Sequence, residues 1–181
     1  MKTKRIVISG GPGSGKTTLI DHLSDLGYDC LPEISREVTL EAQKQGIAQL
    51  FLTDPVLFSK KLLYGRLDQF HEGPEHNASF VFYDRGMPDV TAYMDYLGTE
   101  YSDEFGEICM AHRYDAVFLL PPWEEIYQSD NERYESWEEA QRIYTYLLNG
   151  YRNYKYEPHV VPVGTIPERA SEILNKLDTL F

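Results

Sequence analysis

A chain of 181 residues with a formal net charge of −12 has room for one hydrophobic core and repels polyanions. General binding to nucleic acid or to an acidic membrane is disfavoured, since both need a basic surface, although a local basic pocket remains allowed. No run of about 18 apolar residues occurs, so no membrane span is expected.

The opening "MKTKRIVIS" is basic and then apolar, but its apolar run is too short for a secretion signal, and it reads as mature protein. Cys30 and Cys109 lie far apart and make no disulfide framework. A reducing, cytoplasmic setting and a monomer or homodimer are expected.

In chain order, residues 4–9 form a short β-branched run without alternation, the pattern of a buried strand. Residues 16–26 follow as a helix, with Leu19, Ile20 and Leu23 on one face and Gly27 ending it. "YDCLPE" is a second short strand, and a helix begins near Ile34 and runs to about Gly46. A further helix starts at Pro55, with Asp54 as its N-cap. "HEGPEHN" is a turn, and residues 79–84 are a strongly apolar third strand.

Helical segments are expected over 89–97 and 103–111, then a fourth strand, "DAVFLL", stopped by Pro121-Pro122. A long aromatic-rich helix covers 136–154, "HVVPV" is a fifth strand, and a last helix opens with Thr165 and Glu168 spaced as a capping box. Strands alternating with helices predict one three-layer α/β domain over 1–181, with a parallel sheet covered on both faces.

Between the first strand and its helix stands "GGPGSGKTT". It matches G-x-x-x-x-G-K-[ST] at Gly10, Gly15, Lys16 and Thr17, in the strand-to-helix context the motif requires. Glycines let backbone N–H groups turn inward and approach phosphate oxygens, and the helix N-terminus adds positive charge. The expected cradle is Gly10, Gly11, Pro12, Gly13, Ser14, Gly15, Lys16, Thr17 and Thr18. Lys16 should reach the β- and γ-phosphates of ATP, and the Thr17 hydroxyl should ligate Mg²⁺. This is a P-loop.

Such a sheet presents the carboxyl ends of its strands to the phosphates. Asp84, ending the third strand, is then placed for the metal, and Arg85 for a phosphate or the substrate. Glu33, after the second strand, could act as base for an acceptor hydroxyl with Arg36 holding the acceptor. Equally, it could be a helix-start acid paired with Arg36. Asp89 could cap the next helix and do no more. "PPWEEIYQSDNERYESWEEAQRI" is polar and charged after the fourth strand, as suits a lid over about residues 122–138 that excludes water. Arg133 there could place a guanidinium on the transferring phosphoryl group.

The P-loop, "FYDRGMPD" and "PPWEEIYQSDNER" together resemble a family of predicted P-loop ATPases labelled as an AAA domain. That family is related to nicotinamide riboside kinases and more distantly to nucleoside and nucleotide kinases. The resemblance implies a P-loop NTPase fold with sheet order 2-3-1-4-5, ATP·Mg²⁺ binding and lid arginines, here Arg133. It also implies a backbone-lined adenine site at Gly164, Thr165 and Ile166. A true AAA machine would need a helical C-terminal subdomain and an arginine finger, for which this chain is not expected to have room.

Two guanine-nucleotide signatures are decoys. "NKLD" at 175–178 and "DYLG" at 95–98 both fall in expected helices instead of after strands. The expected activity is transfer of the ATP γ-phosphate to a small nucleoside-like or metabolite acceptor. The alternative is an ATPase or nucleotide-dependent binding module without such an acceptor.

Overall fold

The computed structural model describes residues 2–73, 78–127 and 135–181. Five parallel strands form one sheet in the order β2-β3-β1-β4-β5. They are β1 (Lys4–Gly10), β2 (Asp29–Leu31), β3 (Phe80–Asp84), β4 (Ala116–Leu120) and β5 (His159–Val160). The helices are α1 (Lys16–Asp25), α2 (Ser35–Lys44), α3 (Leu50–Thr53), α4 (Pro55–Glu72), α5 (Met87–Leu97), α6 (Asp103–Ala111), α7 (Trp137–Asn153) and α8 (Ile166–Leu180). The architecture is therefore the expected α/β fold with the expected strand order.

Strand parity builds the layers. Ile6, Ile8, Phe82 and Phe118 face one side, where they pack with Leu19 and Leu23 of α1 and Ile173 and Leu177 of α8. Their neighbours Val7, Val81, Tyr83 and Val117 face the other side, against Leu63, Val90 and Tyr151 of α4, α5 and α7. Both faces of β1 are thus closed to water, which is why that strand shows no polar alternation.

Local signals set most boundaries. Asp54 accepts from the Leu57 N–H at 2.9 Å, capping α4 as the sequence predicts. Thr165 and Glu168 form the expected capping box of α8. Three features differ from expectation. β5 ends at Val160: the Val161 N–H still reaches Leu119 O at 3.0 Å, but the next donor the ladder would take from the β4 side is residue 121, a proline with no N–H. The short helix α3 lies between two expected helices, in a stretch to which the sequence pattern assigns no element. And α5 starts at Met87, not Asp89, since Pro88 in a first turn forfeits no hydrogen bond. The "DYLG" and "NKLD" decoys lie where expected, at the end of α5 and inside α8.

Candidate active site

The loop from β1 into α1 is held by its own atoms and by the segment after β4. Gly13 and Gly15 sit at φ +70° and +73°, a region that side-chain-bearing residues avoid. A Cβ on Gly13 would lie 2.3 Å from the Tyr127 ring, so only glycine fits there. The Ser14 hydroxyl donates to Gly11 O at 2.8 Å, and the Trp123 N–H donates to Gly13 O at 2.9 Å. Lys16, the first residue of α1, is buried, and its ammonium donates to the Asp84 carboxylate at the end of β3. Burial, and then Arg85, push the Lys16 ammonium below its usual range against the pull of Asp84.

A charged floor extends from this pair. Glu33 follows β2, and its Oε1 accepts from Arg66 Nη2 at 3.0 Å and from the Ser35 N–H at 3.1 Å. Its Oε2 lies 2.5 Å from Arg85 Nε. Burial alone would raise the Glu33 pKa, but Arg66, then Arg85 and Lys16, outweigh it and bring the carboxyl down to about 2.

Arg85 is itself unusual, a non-glycine at φ +75°. Such a backbone costs about 1–3 kcal/mol unless its surroundings enforce it. Here Glu33 and Asp89 grip its guanidinium, the latter at 3.4 Å, and the Tyr93 ring lies beneath it at 5.4 Å.

Asp89 anchors the whole arrangement. It is fully buried and accepts from Ser9 Oγ at 2.6 Å, from the Gly86 N–H at 2.9 Å and from the Tyr151 hydroxyl. The expectation that it merely caps a helix needs correction: as the third residue of α5 it reaches back to the cap, and it also binds β1 to α7. Burial, and then Asp89, push the Tyr151 phenol well above its usual range, so the proton stays on the tyrosine.

Beside this floor opens a cavity of about 710 Å³. Lys16, Thr17, Glu33, Arg36, Asp84 and Arg85 all line it, so the structure brings together residues that the sequence offers separately. Its walls are apolar, from Phe51 and Phe58 of α3 and α4 to Val90, Tyr93 and Met94 of α5. Arg36 lies exposed at the rim, and Glu33 pairs with Arg66 and Arg85 in preference to Arg36.

Gly164, Thr165 and Ile166 lie apart from this cavity, at the start of α8. Arg133 and residues 128–134 of the expected lid lie outside the described residues.

Sequence reasoning misses Arg66 and gives Asp89 no more than a helix cap. Arg66 had a faint signal: it sits in the apolar stripe of Leu62, Leu63 and Phe70, where a solvated arginine has no place.

The donor set at the loop suits a hard divalent cation. The Thr17 hydroxyl and the Asp84 carboxylate are oxygen ligands of the kind Mg²⁺ takes. Among the described residues no group of three or more His, Cys, Asp or Glu could hold a metal ion. An ion at this place would complete its shell with water and phosphate oxygens, as Mg²⁺ does in nucleotide sites.

A family model described as an AAA domain matches residues 5–169. Among solved structures, the deoxyadenosine kinase from M. mycoides with products dCMP and a flexible dCDP bound is similar, at 18% identity and TM-score 0.66. That likeness covers 97% of this chain and 99% of the kinase. NadR in complex with NR is similar at 20% identity and TM-score 0.72. NadR with NAD and AMP-PNP is similar at 17% and 0.68. The chain spans about half the length of NadR, 51% and 49% in the two structures. At these identities the likeness shows the fold. No curated protein matches the sequence. Among the described residues no helix is long and apolar enough to cross a membrane.

Proposed function

The chain belongs to this AAA-domain family, and from that premise we propose that it is an ATP-dependent phosphotransferase acting on a small acceptor that offers a hydroxyl. One observation carries the reading. A cavity of about 710 Å³ with apolar walls opens directly beside Lys16, Asp84 and Glu33. Small-molecule sites fall within about 300–1,000 Å³. An enzyme that only hydrolyses ATP needs room for one water there.

The charges favour a neutral acceptor. Lys16 is paired with Asp84, Arg66 with Glu33, and Arg85 with both Glu33 and Asp89. Among the described residues, each buried cation of the floor already faces a carboxylate, which leaves none over for an acceptor phosphate. The flat aromatic walls suit a ring, and two similar structures hold nucleotide or NR ligands, which supports a nucleoside-like acceptor.

In this reading the backbone of Gly10–Thr18 cradles the triphosphate, and Lys16 turns from Asp84 to the β- and γ-phosphates. Thr17 and Asp84 would hold Mg²⁺, which supplies charge neutralisation on the phosphates when bound. The backbone at 164–166 would border the adenine. Glu33 aligns the acceptor hydroxyl with its remaining Oε2 lone pair. A carboxylate with pKa near 2 is a weak base, but a loose phosphoryl transfer asks for orientation more than early deprotonation. The γ-phosphoryl passes to the acceptor oxygen, ADP leaves, and the hydroxyl proton departs late, through Glu33 toward solvent. Residues 122–138 would close over the site and bring Arg133 to the phosphoryl oxygens. In support, the described start of that segment already touches the P-loop at Gly13.

The test is a panel of nucleosides and related alcohols with ATP·Mg²⁺. A phosphorylated product should appear by mass spectrometry in step with ADP, and hydrolysis without acceptor should be slow. Fast acceptor-free hydrolysis, unaffected by Arg133→Ala, would replace this reading with an ATPase.

A further inference from the structure

Arg169 lies in the first turn of α8, does not line the cavity, and stands outside every motif in the sequence. It is 2% exposed, and its side chain is the largest among those fully buried. Its Nη1 donates to Ser14 O, inside the P-loop, at 2.7 Å. Its Nε and Nη2 are buried and have no hydrogen-bond partner among the described residues.

Three costs meet at this residue. A guanidinium stays charged at any working pH, and burial disfavours that charge. Among the described residues no acid opposes it in an ion pair. And it stands at the N-terminal end of a helix, where the backbone dipole repels cations. Glu168, next to it, is committed to the Thr165 cap. A buried, unopposed cation is expensive wherever it occurs. Placed against a phosphate loop, it becomes favourable once a polyanion arrives.

The contact with Ser14 adds a geometric effect. In a trans peptide the C=O and the following N–H point in opposite directions. Arg169 holds Ser14 O toward α8, so the Gly15 N–H is turned the other way, into the cradle. Gly15 itself has φ +73°, and a Cβ there would lie 3.1 Å from Arg169 Nη1, so the guanidinium is packed directly on this peptide.

We propose that Arg169 is a positioning residue for a nucleoside triphosphate: it fixes the Ser14–Gly15 peptide with its N–H toward the phosphates, and the bound polyphosphate supplies a counter-charge that none of the described residues offers it in an ion pair. This rests on the reading that the P-loop binds nucleoside triphosphate. It predicts opposite signs for two measurements that a purely structural arginine would move together.

Arg169→Met keeps most of the packing volume and removes the buried charge. Its ligand-free melting temperature should equal or exceed that of the wild type, while its Kd for ATP·Mg²⁺ and for inorganic triphosphate should rise by about tenfold or more. A lower melting temperature with unchanged triphosphate affinity would overturn the proposal. Should Arg169→Met fail to fold, Arg169→Lys decides. It retains the charge without the fork, so it should bind triphosphate several-fold more weakly, and wild-type affinity would overturn the proposal. Lys16→Ala serves as the reference. If the wild type binds no ATP, or binds it no better than Lys16→Ala, the P-loop reading itself fails; if only Arg169 proves silent, this inference fails alone.

Discussion

Replacing Glu33 by glutamine asks what the carboxylate does for the fold before any question of turnover. The substitution keeps the shape and removes the charge, leaving the Arg66 and Arg85 guanidinium groups facing a neutral amide. Glutamine thus imitates protonated Glu33, and the gap between a pKa of about 2 in the fold and the ordinary 4.5 measures the loss. About 2.5 units at 1.36 kcal/mol each gives on the order of 3 kcal/mol at neutral pH, in line with the cost of breaking a buried pair. Because the folded pKa is depressed, this stability is fully present above pH 4.5 and is lost as pH falls through about 2. Urea unfolding of wild type and Glu33→Gln should therefore differ by about 3 kcal/mol at neutral pH, and less than half of that should remain near pH ~3. A difference that stays constant down to that pH would refute the electrostatic account. No difference at neutral pH would show that solvent, not Glu33, balances the two arginines.

The remaining predictions concern the same floor. Lys16→Ala should weaken ATP·Mg²⁺ binding by calorimetry at least tenfold, about 1.4 kcal/mol, through loss of a charged donor to phosphate. Asp84→Asn should cut acceptor-dependent turnover and flatten its dependence on Mg²⁺ concentration, read by ADP release. Tyr151→Phe removes one of the donors to the buried Asp89 and should cost about 1.5–3 kcal/mol in thermal or urea unfolding, with the fold retained.

What the sequence discloses is what is local. The P-loop is nine consecutive residues whose chemistry needs no partner elsewhere, and the caps of α4 and α8 span only three or four positions. The sheet followed from strand–helix alternation together with family resemblance. The charged floor was only half legible. Glu33, Asp84 and Arg85 could be placed, because strand ends in such a sheet share one edge. Their pairing could not: Arg66 meets Glu33 across 33 positions, and Tyr151 meets Asp89 across 62. Nothing short-range marks those distances, and a helix-borne arginine reads as solvated until its face is known. Arg169 escaped for the same reason, since Ser14 stands 155 positions away.

The left-handed backbone at Arg85 has a consequence for side-chain direction. Along a strand, consecutive residues must part company: Phe82 goes to one layer of the core and Tyr83 to the other. By that rule Asp84 and Arg85 could never serve one pocket. The Arg85 N–H still holds its ladder bond to Ile8 O at 3.0 Å, and only afterwards does the chain swing through φ +75°. The reversal cancels the parity of the strand, and both side chains end at the same cavity wall. A β-branched residue at 85 would resist that twist. It would therefore restore the alternation and reorient the chain toward Gly86 as well as delete a guanidinium. Two adjacent letters act as one two-pronged tool only because the backbone between them breaks step.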